Sequence, residues 1–267
     1  MRIVLDAMGS DRHPEPDVEG AVLAARETGE CIILVGDQNQ IRRELDKYDI
    51  SGLSIEVVHA EQKITMEDRP GVVGRAKPAS SMHVGMRLVK DRHADAFVTM
   101  GNTGAVLAIA TLHTLKRIPG VSRPALSTIL SLQDRAMILL DIGANADCRP
   151  EWLVQFAIMG SIYAERALQN DNPRVALLSN GEEEGKGNTL VREAAELLRS
   201  CGVNFIGNVE PKEILAGAAD VVVMDGFSGN VLIKSMEALG NTLFDLIRRE
   251  LMADWRSRIG GLLAKPA

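Results

Sequence analysis

Short runs of aliphatic and β-branched residues, each closed by Gly, Asp, Asn or a helix start, alternate with longer helical patterns along almost the whole chain. That alternation is the signature of βα units around a mostly parallel sheet. Strands are expected over residues 2–6, 31–35, 54–58, 95–99, 174–178, 203–206 and 220–224. One region breaks the pattern. Apolar runs at 126–131 and 136–141 meet across Leu132-Gln133-Asp134-Arg135, which is hairpin spacing. The sheet is therefore expected to be mixed, with lobes meeting near residues 119–150. A chain of 267 residues fits one α/β catalytic domain or two intimate lobes, and no repeat or low-complexity linker marks a boundary.

The chain is 46% apolar but only 3% aromatic, so its core must be built from Val, Ile, Leu, Ala and Met, which suits a sheet covered by helices. A formal charge of -6 argues against nucleic acid as a partner, since a phosphate backbone requires a cationic face. Cys31, Cys148 and Cys201 form no CxxC pair, and the first residues lack the regions of a signal peptide. A reduced, cytoplasmic protein is expected. No run of 18 apolar residues is present to span a bilayer.

Polar corners follow several of the expected strands, and strand C-termini are where open α/β sheets place ligands. Asp6-Ala7-Met8-Gly9-Ser10-Asp11 carries two acids: either they position substrate, or Asp6 satisfies turn amides and Asp11 caps the next helix. Gly101-Asn102-Thr103-Gly104 leads into a helix through Val106, Leu107, Ile109 and Leu112. Its amides suit an anion, although Asn102 or Thr103 serves equally as a cap. In residues 141–148, Asn145 is a candidate substrate contact and Asp147 a candidate cap, with Pro150 in the first helical turn.

Cys148 invites a nucleophile role, but no histidine is tied to it by a motif, and a buried free thiol is the commoner state. Gly181-Glu182-Glu183-Glu184-Gly185-Lys186-Gly187-Asn188-Thr189 is expected to place Lys186 in a helix's first turn, where a cation opposes the helix dipole unless an anion is bound. Asp225-Gly226-Phe227-Ser228-Gly229-Asn230 repeats the corner before a helix expected near Val231. Asn102, Asn145, Lys186 and Asn230 are expected to converge on one pocket. His83 follows Ser80-Ser81-Met82, where a helix N-cap is the bland reading. No spacing suggests a metal site.

Asp6-Ala7-Met8-Gly9-Ser10-Asp11, Ser80-Ser81-Met82, Gly101-Asn102-Thr103-Gly104-Ala105, Arg123-Pro124-Ala125-Leu126, Asp141-Ile142-Gly143-Ala144-Asn145 and Asp225-Gly226-Phe227-Ser228-Gly229-Asn230-Val231 resemble, in order, the motifs of the bacterial phosphate acyltransferase (PlsX) family. The resemblance runs from residue 1 to about residue 240. It implies transfer of a fatty acyl group from acyl carrier protein to inorganic phosphate, giving acyl phosphate for phospholipid synthesis, with no cofactor and no metal. The implied fold is Rossmann-like three-layer α/β/α, similar to isopropylmalate dehydrogenases and phosphotransacetylases, and the implied assembly is a homodimer.

Phosphate is then the expected nucleophile, held by Lys186 and helix-terminal amides, with Asn230 orienting phosphate or donating to the developing oxyanion. Asn102, Thr103 and Asn145 complete a polar wall, and Ser80, Ser81 and Asp225 belong to the substrate-binding set.

Ser10 stands where the family commonly has a second Gly, Ser179-Asn180-Gly181 where it usually has Asn, a variable residue and Gly, and Ala238 where Gly is frequent. No role passes to Ser179 or Asn180. The chain ends before the family's glycine-rich terminal segment with its HGSS-like motif, so a shortened catalytic chain is expected. Leu239, Leu243, Ile247, Leu251, Trp255 and Ile259 form an apolar stripe beside Arg248, Arg249, Arg256 and Arg258. Its first half suits core or dimer packing, and residues 251–263 suit peripheral contact with a membrane. The alternatives are a nucleotide-dependent dehydrogenase on the related fold, for which no GxGxxG follows a strand, or a non-catalytic module binding acyl carrier protein or membrane.

Overall fold

The computed structural model describes residues 1–132, 135–253 and 260, and divides the chain into two compact units, Met1–Val121 and Ser122–Ala267. Each expected strand is present, with ends moved by at most a few residues. Two sheets form, one in each unit, the first all-parallel and the second mixed through the expected antiparallel hairpin.

In the first unit β1 (Arg2–Asp6), β2 (Cys31–Gly36), β3 (Ile55–His59) and β4 (Ala96–Val98) form an all-parallel sheet of order β3-β2-β1-β4. Side chains alternate across a strand, so β2 sends Ile32 and Leu34 to one face and Ile33 and Val35 to the other. The first pair packs under α1 (Glu15–Thr28) and α2 (Gln38–Leu45), through Val18, Val22 and Ile41. The second packs under α4 (Ser81–Lys90), through Val84, Leu88 and Val89. Both faces are therefore covered, as a parallel sheet requires. α3 (Pro70–Ala76) and α5 (Thr103–Ala108) pack with α4 around Met82 and Ile109, and a π-helical turn, Ile109–His113, continues α5.

In the second unit β5 (Ser127–Leu132) and β6 (Arg135–Leu140) pair antiparallel in the expected register, Ser127 opposite Leu140 and Leu132 opposite Arg135. The turn residues Gln133 and Asp134 lie outside the described residues. β6 then pairs in parallel with β9 (Val221–Val223), β9 with β7 (Val175–Leu178), and β7 with β8 (Phe205–Val209). One face, carrying Ile138, Leu140, Val175, Leu177, Val221 and Val223, is covered by α6 (Pro150–Ala167) and α7 (Thr189–Leu198). Gly160 lets α6 approach closely, since a Cβ there would lie 2.5 Å from Val221 Cγ1. The other face is covered by α8 (Pro211–Leu215) and the early part of α9 (Gly226–Met252).

α9 begins five residues earlier than the sequence suggests. Asp225 is its N-cap, accepting from Ser228 N–H at 2.9 Å, so the Gly-Phe-Ser-Gly stretch is helix and not loop. Beyond its first turns the helix leaves the core: Leu239 is 70% exposed and Leu243, Ile247 and Leu251 are also exposed, which removes core packing as their role. Trp255, Arg256, Arg258 and Ile259 lie outside the described residues. Among the described residues, no helix is long and apolar enough to cross a membrane.

Candidate active site

In the first unit the C-terminal end of β1 meets the loop after β4. Asp6 is buried and accepts from Met8 N–H at 3.1 Å and Thr99 Oγ1 at 2.8 Å, the turn-satisfying role. Burial pushes its carboxyl up, against the opposing pull of Ser81, Thr99 and the Met8 amide. Ser81 Oγ itself, though buried, meets no partner at hydrogen-bonding geometry. Gly9 and Gly101 let the two loops touch, because a Cβ on Gly9 would lie 2.7 Å from Thr99 Oγ1 and 2.9 Å from Gly101 N. Asp11 caps nothing: α1 starts behind Pro14 without a side-chain cap.

Asn102 caps α5, its Oδ1 accepting from Ala105 N–H at 3.0 Å while its Nδ2 donates to the carbonyl of Asp68 at 3.1 Å and, more distantly, to those of Thr65 and Met66. Both ends of the side chain thus tie the 65–68 loop to the helix start. Thr103 is exposed beside it. Ser80 is the buried N-cap of α4. His83 is a core histidine, with Nε2 2.8 Å from the Gly74 carbonyl oxygen and burial lowering its pKa.

In the second unit the ends of β6 and β9 meet. Asp141, fully buried, accepts from the amides of Leu126, Gly143, Ala144 and Asn145 and from Asn145 Nδ2, at 2.8–3.1 Å. One carboxylate thereby shapes the whole 141–145 loop, and Asn145 Nδ2 also donates to the Pro124 carbonyl at 2.8 Å. The first turn of α9 lies directly on this loop. Gly226 N–H donates to the Asn145 carbonyl at 2.7 Å, and Asn230 sits beside Gly143, whose added Cβ would lie 4.0 Å from Asn230 Oδ1. Asn145, Asp225 and Asn230 are thus brought together, with Asn230 exposed on the helix.

Asp147 is not a cap, since α6 starts behind Arg149 with no side-chain bond. Cys148 is half-buried, and burial pushes its thiol up to about 11, so at neutral pH it is not the thiolate a nucleophile requires.

Lys186 stands three residues ahead of α7 and not in its first turn, because Asn188 is the N-cap, accepting from Val191 N–H at 2.9 Å. Its side chain lines a cavity of about 450 Å³ with Arg192, Arg199 and Glu182. The neighbouring cations are engaged: Lys212 with Glu182 and Glu210 at 3.0 Å, Arg199 with Glu184, and Arg192 with the Gly187 carbonyl at 2.8 Å. Among the described residues no carboxylate pairs with Lys186.

A second cavity, about 590 Å³, opens at the C-terminal ends of β7 and β9 between the starts of α7 and α9. Ser179 lines it, a residue to which the sequence attached no role. Its surroundings become visible only when β7, α7 and the 180–188 loop are assembled. Among the described residues no cluster of three metal-ligating side chains occurs.

The fold defines a Rossmann-like α/β enzyme with helix N-termini and small polar side chains at the C-terminal ends of its strands. Its architecture is similar to that of a phosphotransacetylase from Streptococcus pyogenes, with a TM-score of 0.66 at 20% identity over 90% of this chain and 82% of that one, a likeness of fold. The model of the fatty acid synthesis protein family matches residues 1–267. A phosphate acyltransferase of Alkaliphilus oremlandii is 47% identical over 100% of this chain and 79% of its own length, and one of Syntrophotalea carbinolica is 46% identical over 99% and 76%. The chain belongs to the fatty acid synthesis protein family, that of the phosphate acyltransferases, and is an acyl-transferring enzyme of lipid synthesis.

Proposed function

We propose that this enzyme transfers a fatty acyl group from acyl carrier protein to inorganic phosphate, releasing acyl phosphate and the carrier thiol. An oxygen of hydrogen phosphate forms the new bond to the thioester carbon, the carbon–sulfur bond breaks, and the proton of hydrogen phosphate ends on the departing thiolate. No cofactor enters this balance. The enzyme's task is to hold a dianion against a carbonyl and to stabilise the charge that develops on its oxygen.

The observation that carries this reading is Lys186, an ammonium without a carboxylate partner among the described residues, in the loop that leads to the N-terminus of α7. An ammonium left free of a carboxylate is chemistry suited to a phosphate dianion. Asn230, presented by the first turns of α9 beside the 141–145 loop, orients the phosphate, and Asn145 braces that loop. Asn102 and Thr103 frame the corresponding corner of the first unit, with Ser80, Ser81 and Asp225 supporting. Lys186→Ala and Asn230→Ala should remain folded, by circular dichroism and thermal melting, yet lose acyl phosphate formation. Full activity in both would remove the assignment.

The same reading places the enzyme in the cytoplasm as a homodimer, in peripheral contact with a membrane through residues 251–263. The exposed stripe of α9 is available for the dimer. Trp255→Glu should weaken sedimentation with anionic liposomes, and unchanged binding would exclude that contact.

A further inference from the structure

The cavity between α7 and α9 differs in chemistry from the one lined by Lys186. Its walls include Leu178, Val191, Pro211 and Val223, and its polar groups are Ser179, Asn180, Asn188, Asp225 and Ser228. Among the described residues no cation lines it, and Asp225 places a carboxylate there. A phosphate dianion is therefore poorly matched, whereas a neutral ligand with a methylene chain and one strong acceptor fits.

A donor for that acceptor is in place. Ser179 Oγ is fully buried with no hydrogen-bond partner, in a residue only 8% exposed, and it faces the strand-to-helix loop: a Cβ on Gly187 would lie 3.2 Å from it. Asn188, which also lines the cavity, caps α7 by accepting from the Val191 amide, so the helix's N-terminal end lies at the cavity wall. A buried hydroxyl left unpartnered is unfavourable unless a ligand completes it. Ser228 Oγ is unavailable, since it donates to Asp225 at 2.7 Å.

We infer that this cavity holds the acyl thioester, with its carbonyl oxygen against Ser179 Oγ at the N-terminal end of α7, so that this hydroxyl is the oxyanion donor. The inference rests on the proposed acyl transfer and adds the thioester's location and a catalytic residue. As phosphate attacks, negative charge grows on the carbonyl oxygen, and the Ser179 hydroxyl and the positive end of the α7 dipole stabilise it.

Ser179→Ala tests this directly, because it removes a hydroxyl without a hydrogen-bond partner among the described residues and so should leave the thermal midpoint unchanged or raised. The expected result is a kcat lowered by about 100-fold, the scale of losing one oxyanion donor, with the KM for phosphate within twofold and partial recovery in Ser179→Thr. A Ser179→Ala enzyme with wild-type kcat, or one whose defect is confined to phosphate KM, overturns the assignment while leaving acyl transfer intact. If the wild-type enzyme forms no acyl phosphate, the functional reading itself fails. The cavity is then judged by calorimetric binding of a long-chain acyl-pantetheine ketone with methylene in place of sulfur: severalfold weaker binding by Ser179→Ala supports the site, and equal binding refutes it.

Discussion

Gly229→Ala is a one-methyl perturbation whose consequence is worked from distances. A Cβ at Gly229 would lie 2.0 Å from the Asp141 carbonyl oxygen, 2.9 Å from Ile142 Cα and 3.0 Å from the Asp141 carbonyl carbon. All three are backbone atoms, so no rotamer change relieves the clash. Ordinary contact begins at 3.4 Å, so α9 and the 141–145 loop must separate by about 1.4 Å. Overpacking of this kind costs about 1–3 kcal/mol. The larger effect is expected on activity, since misplacing reacting groups by about 1 Å costs on the order of 100-fold, and Asn230 is the next residue on the displaced helix. Gly240→Ala on the same helix is the control: its Cβ would meet nothing within 4 Å, and exchanging a mid-helix glycine for alanine gains up to about 1 kcal/mol. Acyl phosphate formation, trapped as the hydroxamate, should fall at least tenfold in Gly229→Ala and stay at the wild-type rate in Gly240→Ala. Wild-type turnover in Gly229→Ala would refute the claim that close approach of α9 to the loop positions Asn230.

Further outcomes follow from other groups. Asp141→Ala strips five hydrogen bonds from a buried acceptor and should destabilise the protein by about 3 kcal/mol or more in urea titrations; a change below 0.5 kcal/mol would contradict its organising role. Asp17 is buried, with one oxygen bonded to Ser10 at 2.6 Å and the other unpartnered, and burial raises its pKa. Between the ordinary carboxylate range and that raised value the folded state holds more protons than the unfolded one, so this group's contribution falls as pH rises. Asp17→Asn should therefore melt higher than wild type at pH 7, with the gap closing toward pH 4; a gap independent of pH would exclude the linkage. Cys148→Ala should keep activity within twofold, because its protonated thiol takes no part in the reaction; loss of turnover in a folded protein would reopen a covalent route.

The strands and the hairpin were legible because buried parallel strands must be continuous aliphatic runs, and β2, β6, β7 and β9 are such runs. The start of α9 was not, since Gly226 and Gly229 read locally as loop. They are helical because Asp225 caps the turn, and they are glycine because a Cβ at either would strike the 141–145 backbone, a contact between segments more than 80 residues apart. Lys186 was identified as a residue but placed one turn too far along, because Asn188 and not the glycine run sets the helix start. Asp141 looked like one motif letter among many, and its five donors appear only when the loop is closed. Ser179 was invisible for a related reason: an unpartnered hydroxyl is defined by what surrounds it. The local capping alternatives for Ser80 and Asn102 were realised in the fold, which accounts for their side-chain geometry without assigning them chemistry, and the cap at Asp225 was one the sequence did not suggest.

The central claim is that phosphate itself attacks the thioester. Thiol release from acyl carrier protein thioester, measured with a thiol-reactive dye alongside acyl phosphate, tests it most directly. If phosphate is the nucleophile, release requires inorganic phosphate, saturates with it, and matches acyl phosphate one for one. Release that proceeds at the same rate without phosphate, yielding free fatty acid, would contradict it.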